Sequence, residues 1–267
     1  MIRSFRLSWV GMVRSALVIG VAGLTRCSES PEVLREPTNR IVLAEFFTWA
    51  RCAYCPHAAS ALDSLAREFA DSVALVAYHR RIAGDTISPA YVEKRCSRYY
   101  SGGGEPATVF DGYGPVRTAS PEENLETFRN HILVCRSRSP KVQLHLTGDV
   151  SLNRGRAVIQ VCGLDSAPAG GLRLFTAVVE DSVCFKLSGA YETLFNHVLR
   201  LMLPNEDGRL VTNVGRDTFA VAEEFALAPE WNPRMLGIVA FVQDTTTNQV
   251  LQTSLVRRLP WSGRQRN

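Results

Sequence analysis

Cys52-Ala53-Tyr54-Cys55-Pro56 sets two thiols three positions apart in this 267-residue chain. Such a pair can close a small, easily opened disulfide, share one metal ion, or staple a turn. An apolar run at residues 41–47 hands over to a helical pattern at this motif, and that placement favours thiol–disulfide exchange. The thiolate is the species that attacks a disulfide, and the free N–H groups and dipole at a helix start stabilise it. Cys52, just ahead of the helix, is expected to be exposed and to act as the nucleophile. Cys55, one turn in, is expected to be better shielded and to resolve the mixed disulfide.

Glu45 is the other residue near this motif with a chemical reading. It is an acid in an otherwise apolar strand, and a lone buried carboxylate is costly unless it finds a task. One reading gives it the proton of Cys55; the other leaves it exposed on a half-covered strand. Structural zinc needs four ligands, and one CxxC supplies two with no second pair in sight. Covalent haem is excluded because Pro56, not His, follows Cys55. His197 reads as a hydrogen-bonded structural histidine rather than a base. Neither His79 nor His131 carries more, and Arg80-Arg81 reads as a solvated loop.

The elements that would hold these residues follow from periodicity. Residues 41–47 form a nearly continuous apolar strand, as in a sheet covered on both faces. Ala58, Ala61, Leu62, Leu65 and Phe69 recur at helical spacing after the CxxC. Residues 73–78 make a second buried strand, and Ser88-Pro89 is expected to open a helix. Gly102-Gly103-Gly104-Glu105-Pro106 ends it. Residues 107–110 read as a third strand, Asp111-Gly112-Tyr113-Gly114 as a turn, and Pro115-Val116-Arg117 as a short fourth strand. Ser120-Pro121-Glu122-Glu123 then starts a helix that runs to about Cys135. The expected order is β-α-β-α-β-β-α.

From Pro140 the period becomes strand-like. Val142, Leu144 and Leu146 alternate with polar neighbours, and further runs occupy residues 157–162, 172–179, 219–225, 236–242 and 250–256. Many strands without a long helical pattern predict an antiparallel sandwich. Residues 244–248 would join the last two strands as a hairpin.

With these residues in view, the chain resembles the thioredoxin-like superfamily. More narrowly, it resembles the exported bacterial outer-membrane-protein and lipoprotein family that joins such a module to a C-terminal β-sandwich. The residues that carry the likeness are Val42-Leu43-Ala44-Glu45-Phe46-Phe47-Thr48, Cys52-Ala53-Tyr54-Cys55-Pro56 and Glu105-Pro106-Ala107-Thr108-Val109-Phe110-Asp111-Gly112. Further on they are Val178-Val179-Glu180-Asp181, Asn196-His197-Val198-Leu199-Arg200 and Val239-Ala240-Phe241-Val242-Gln243-Asp244. The resemblance implies Cys52 and Cys55 as the redox pair, Pro106 as a cis-proline opposite them, and Glu45 as the counterpart of the buried acid. Two departures stand out. One extra residue separates Glu45 from Cys52, and Glu105 puts a carboxylate where it would raise the Cys52 pKa if close, with Arg51 opposing it.

The first 26 residues read as an export signal. Arg3, Arg6 and Arg14 precede an apolar core at residues 15–24, shorter than the roughly 20 residues of a membrane span; a retained anchor is the alternative. Leu24-Thr25-Arg26-Cys27 resembles a lipoprotein cleavage site, with Arg26 as a departure. Lipidation of Cys27, and so a lipid anchor to a membrane, stands beside cleavage by an ordinary signal peptidase. Of 30 basic residues, four lie in this segment with no acid, which leaves 26 against 26 acidic side chains. That balance points to no nucleic-acid or anionic-membrane surface.

Cys96, Cys135, Cys162 and Cys184 could pair in an oxidising compartment or remain isolated thiols. The expected organisation is a signal at 1–26, a linker at 27–35, a thioredoxin-like α/β domain at 36–139, an immunoglobulin-like β-sandwich at 140–258 and a tail at 259–267. The expected function is thiol–disulfide exchange with protein thiols and disulfides of the periplasm or outer membrane, with no bound cofactor and no metal. The competing reading is a non-enzymatic surface lipoprotein or binding module in which the CxxC is a permanent staple.

Overall fold

The computed structural model describes residues 40–118, 120–164, 171–212 and 218–262. The expected signal, Cys27 and the linker after it lie outside the described residues. Val42–Thr48 forms strand β1, with all seven residues buried. A strand can be buried on both faces only if each face carries a layer. One layer is helix α1 (Cys55–Glu68) with a second helix, Pro121–Arg136. Val42, Ala44 and Phe46 meet Ala58, Leu62, Leu65, Phe128 and Ile132 there. On the opposite face Leu43 and Phe47 pack against Phe175, Ala177, Val239 and Phe241 from the C-terminal half.

The N-terminal half continues with β2 (Val73–His79), α2 (Val92–Ser97), β3 (Ala107–Phe110), β4 (Tyr113–Val116) and α3, the helix at Pro121–Arg136. This is the β-α-β-α-β-β-α order expected from the sequence. β2 runs parallel to β1, and β3 and β4 add on antiparallel. α1 buries Cys55, Ala58, Ala61, Leu62, Leu65 and Ala66, the i, i+3, i+4 stripe of a core-facing helix, and has Pro56 in its first turn. α3 begins as its sequence demands: the Ser120 side chain accepts from the Glu123 N–H at 3.1 Å, followed by Pro121.

α2 is shorter than expected and starts later. Ser88 does not cap a helix. Its hydroxyl is buried and accepts from the His79 N–H at 3.2 Å, which holds residues 87–91 in a turn. Gly112 follows Asp111 in the left-handed turn between β3 and β4. A Cβ there would lie 1.7 Å from the Asn248 carbonyl, so only glycine fits.

The C-terminal half adds β5 (Val142–Val150), β6 (Arg154–Gly163), β7 (Leu172–Glu180), β8 (Val183–Cys184), β9 (Leu194–Phe195), β10 (Val198–Leu203), β11 (Arg209–Leu210), β12 (Phe219–Ala226), β13 (Leu236–Asp244) and β14 (Val250–Val256). β12, β6 and β5 make a three-stranded antiparallel sheet. Its inner face, Leu144, Leu146, Ala157 and Ile159, packs on Leu172, Leu174, Ile238 and Val242.

The large sheet crosses the boundary expected at residue 140. Its order is β14-β13-β7-β10-β2-β1-β3-β4, joined where Val198 of β10 pairs with Ala77 of β2. A register shift between Leu199 and Leu201 interrupts the ladder beside that join. The sheet turns back on itself there, so the Phe175 and Phe241 face of β7 and β13 lies against the Leu43 and Phe47 face of β1. The molecule is thus mixed α/β, largely sheet with few helices, in four layers: helices, two portions of one sheet, and the three-stranded sheet.

Candidate functional site

Cys52 and Cys55 are disulfide-bonded, with Cα atoms 5.3 Å apart. Cys55 is the first residue of α1, and Cys52 precedes it in a turn whose Cys52 N–H donates to the Trp49 carbonyl at 3.0 Å. Ala53 and Tyr54 at the tip are exposed. The sulfur-bearing residues are not: Cys52 is 4% exposed and Cys55 3%. That corrects the expectation of an exposed Cys52.

Cys52 and Cys55 belong to the core cluster of Phe46, Ala58, Phe110 and Phe128, and the C-terminal half reaches the turn just before them. The segment from β8 to β9 returns to the CxxC turn, where the Tyr191 N–H donates to the Ala50 carbonyl at 3.2 Å and Gly189 sits against Arg51. Ala50 itself packs with Ile87, Val183, Phe195 and Val198.

Strand parity places the remaining candidates. Phe47 pairs with Ala107 and Phe46 with Thr108, so Pro106 lies next to Thr48 at the end of β1 from which the CxxC turn emerges. Thr108 and Phe110 have the parity of Pro106, and Phe110 belongs to the core layer of Cys52 and Cys55. Pro106 is buried and joined to Glu105 by a cis peptide bond.

Glu105 takes the opposite parity, away from the thiols. Arg80 donates to its carboxylate at 2.5 Å and to Glu93 at 2.7 and 3.0 Å, and the Tyr100 hydroxyl donates to Glu105 at 3.2 Å. Arg80 is therefore no solvated loop residue. Its guanidinium pKa stays above the ordinary value: burial works against the charge, and the hydrogen bonds to Glu93 and Glu105 outweigh it.

Glu45 requires a second correction. It is fully buried, but it shares the face of Leu43 and Phe47, across the sheet from Cys55. Arg95 donates to both its oxygens, at 2.7 and 2.9 Å, and the Tyr99 hydroxyl donates to it at 2.5 Å. A carboxylate so engaged is a member of the interlayer core and does not reach the proton of Cys55. Burial holds the Tyr99 phenol protonated well above its usual range, against the opposing Arg95 charge and with the Glu45 charge adding to it.

His79, dismissed at the sequence level, sits in the thiol layer at the end of β2. Its Nδ1 is 2.8 Å from the buried Asp85, whose carboxylate also accepts from the Ala50 and Ile87 N–H groups at 2.8 and 3.0 Å. Its only sequence signal is parity: it continues the Val73, Leu75, Ala77 face of β2. His197, read as structural, bridges Asp63 of α1 and Asp181, at 3.3 Å on each ring nitrogen. His131 stacks on Phe110 at 5.5 Å, and burial lowers its pKa.

Cys96 and Cys135 are free and buried, Cys162 is free and half-buried, and Cys184 is free and exposed. Among the described residues, no group of three or more His, Cys, Asp or Glu side chains is placed to hold a metal ion, and no helix is long and apolar enough to cross a membrane.

Fold and site together define a sheet-rich α/β protein with a helix-terminal CxxC disulfide, Pro106 at the same end of β1, and a hairpin that reaches the CxxC turn. No protein-family model and no curated protein matches the chain. Among solved structures, HBP35 of Porphyromonas gingivalis is similar, with a TM-score of 0.69 at 16% identity over 85% of this chain and 79% of that one. A structural-genomics protein from Agrobacterium tumefaciens gives 0.53 at 14% identity, over 86% and 99%. A domain of the outer membrane lipoprotein Omp28 from Porphyromonas gingivalis gives only 0.37 at 19% identity, over 46% and 92%. At these identities the first two likenesses are likenesses of fold.

Proposed function

We propose that the chain is an exported thioredoxin-like module joined to an immunoglobulin-like sandwich, and that it exchanges disulfides with polypeptides of the cell envelope through Cys52 and Cys55. The observation that carries this reading is a bonded CxxC at the start of α1 with Pro106 on the same face and Glu105 turned away onto Arg80. In the reduced protein the Cys52 thiolate attacks a substrate disulfide. One substrate sulfur leaves as a thiolate, and a mixed disulfide forms. Cys55, deprotonated, then attacks Cys52 Sγ, releasing the second substrate thiolate and regenerating the intramolecular bond. Two electrons pass to the substrate, and the reverse sequence oxidises it. Export rests on the pattern of residues 1–26, and a lipid anchor would attach at Cys27.

One observation favours a second reading. With Cys52 and Cys55 almost fully buried, the bond could be a permanent staple in a binding module. Equilibration of the mature protein with glutathione buffers separates the two. Exchange predicts reversible titration of the Cys52–Cys55 pair and trapped adducts on Cys52 in a Cys55→Ser variant. A bond that survives strong reductant, with no trapped adduct, leaves the staple.

A further inference from the structure

Between α1, from one turn past Cys55 onward, and the segment at residues 192–197 lies a cavity of about 280 Å³. Its apolar lining includes Phe46, Leu62, Leu75, Ala77 and Phe195. Small-molecule sites usually run from about 300 to 1,000 Å³, so this one suits a single long side chain better than a whole ligand. Its α1 lining runs from Ala59, one turn along from Cys55, past Asp63, two turns along, to Arg67, a further turn on.

Two carboxylates, Asp63 and Glu192, line the cavity, and they differ in their partners. Glu192 is half-buried, with no ion pair or hydrogen bond to a cation among the described residues. Burial first, and then the Asp63 charge, raise its pKa, with His57 opposing. Asp63 is ionised. Burial would raise its pKa, but hydrogen bonds from His197 and Asn196 overcome this and hold it below the ordinary value. His79 lines the cavity as well. Its Nδ1 lies 2.8 Å from Asp85, whose carboxylate also accepts from two backbone N–H groups. Among the described residues, Arg67 is the one permanent cation in the lining.

We infer that this cavity binds a lysine or arginine side chain of the substrate polypeptide, with the aliphatic stem over Phe46, Leu62 and Leu75 and the charged head at Glu192. The inference deepens the exchange reading and rests on it for the role of the bound chain. Cys55 to Ala59 and Cys55 to Asp63 correspond to about 6 and 12 Å along the helix axis at 1.5 Å per residue. An extended chain covers about 3.3 Å per residue, so the cation belongs two to four residues from the reacting cysteine.

The test uses peptides that carry Lys, Arg, norleucine or Glu three residues from a cysteine activated as a mixed disulfide with thionitrobenzoate. Release of thionitrobenzoate reports attack by Cys52 in a Cys55→Ser, Cys184→Ser background. A second arm measures binding of the same peptides, with Ser in place of Cys, to the oxidised wild-type protein by titration calorimetry. Lys and Arg peptides are expected to lead norleucine and Glu peptides by about fivefold, the upper range for a partly exposed charge pair. Glu192→Gln should remove that preference and Glu192→Lys should invert it. Ala59→Trp, which fills the cavity and leaves Glu192 in place, should abolish it. A cation preference in the binding arm without any release of thionitrobenzoate would keep the site and sink the exchange reading. Equal rates and affinities across the series, a norleucine peptide matching lysine, or indifference to Glu192 would overturn the site and leave exchange standing.

Discussion

Arg95 of α2 grips Glu45 of β1 between the two facing portions of the large sheet, Nε to one carboxylate oxygen at 2.7 Å and Nη2 to the other at 2.9 Å. Its remaining nitrogen donates to Gln243 of β13 at 2.8 Å. Phe175 and Phe241 lie 4.9 and 5.0 Å from the guanidinium carbon. The pair therefore ties the N-terminal half to strands of the C-terminal half at a place with no access to water.

Removing one member leaves a buried charge without its partner, which costs about 3–5 kcal/mol. Arg95→Met should lower unfolding stability by that much in urea titrations. The double variant Glu45→Leu, Arg95→Met should recover most of the loss, since hydrophobic replacement of a whole buried pair is often neutral. Additive losses in the two singles and the double would mean that the pair does not act as a unit.

Glu45→Gln separates structure from chemistry. Because Glu45 faces away from the thiols, the variant should be less stable while the pH dependence of thiol exchange stays that of the parent. A shifted pH profile at temperatures where the variant is folded would restore the proton-relay role to Glu45.

Asp85 holds the CxxC turn from below. Asp85→Ala would strand the Ala50 and Ile87 N–H groups and His79 Nδ1, buried donors that cost about 1–3 kcal/mol each when unpaired. A loss of about 3 kcal/mol or more is expected, with faster hydrogen exchange at the Ala50 amide. An Ala50 amide as protected as in the parent would show that the turn does not depend on Asp85.

Local pattern announced the elements but not their facing. The all-apolar run of β1 implied cover on both sides, and Ser120-Pro121-Glu122-Glu123 marked the start of α3 because capping is a short-range matter. Glu45 was readable as buried. Which layer it joined was not, because that depends on β7 and β13 lying more than a hundred residues away. The same limit hid the Val198–Ala77 pairing that fuses the sheet, and the hairpin over Ala50. Arg80 looked solvated because Glu93 and Glu105 meet it only after α2 and the glycine-rich turn have folded. For His79, parity with Leu75 and Ala77 was the available signal, and it becomes informative only beside Asp85.

Stability should fall as the medium turns alkaline, through the thiols. Burial, and then the Asp111 charge, push Cys135 up to about 12, and burial also raises Cys96. Unfolding returns each to its ordinary value near 8.5. The unfolded state therefore binds fewer protons in this window. Each thiol's contribution is intact below about pH 8.5 and declines as pH rises toward the folded value, by at most about 1.4 kcal/mol per pH unit. Measured between about pH 8.5 and 9.5, below the ordinary tyrosine value near 10, the slope should be reduced in Cys135→Ala. An unchanged slope would mean that Cys135 titrates normally in the fold.

Phe195 is the test of why the disulfide is shielded. It is buried, meets the His79 ring edge to face at 4.7 Å, and packs with Ala50, Ile87 and Val183 where the β8–β9 segment reaches the CxxC turn. Phe195→Ala removes the anchor, at a cost of about 3–5 kcal/mol if the whole contact is lost. The β8–β9 segment should then open more often, and a phosphine reductant should reach the sulfur faster by at least several-fold. The comparison belongs well below the melting temperature of the variant, so that local opening and not global unfolding sets the rate. The Lys94–Asp207 surface pair provides the control. Lys94→Ala sits away from the hairpin and should leave the reduction rate at the parental value. If Phe195→Ala and the parent reduce at one rate, the hairpin is not what hides Cys52, and the shielding must come from the turn itself.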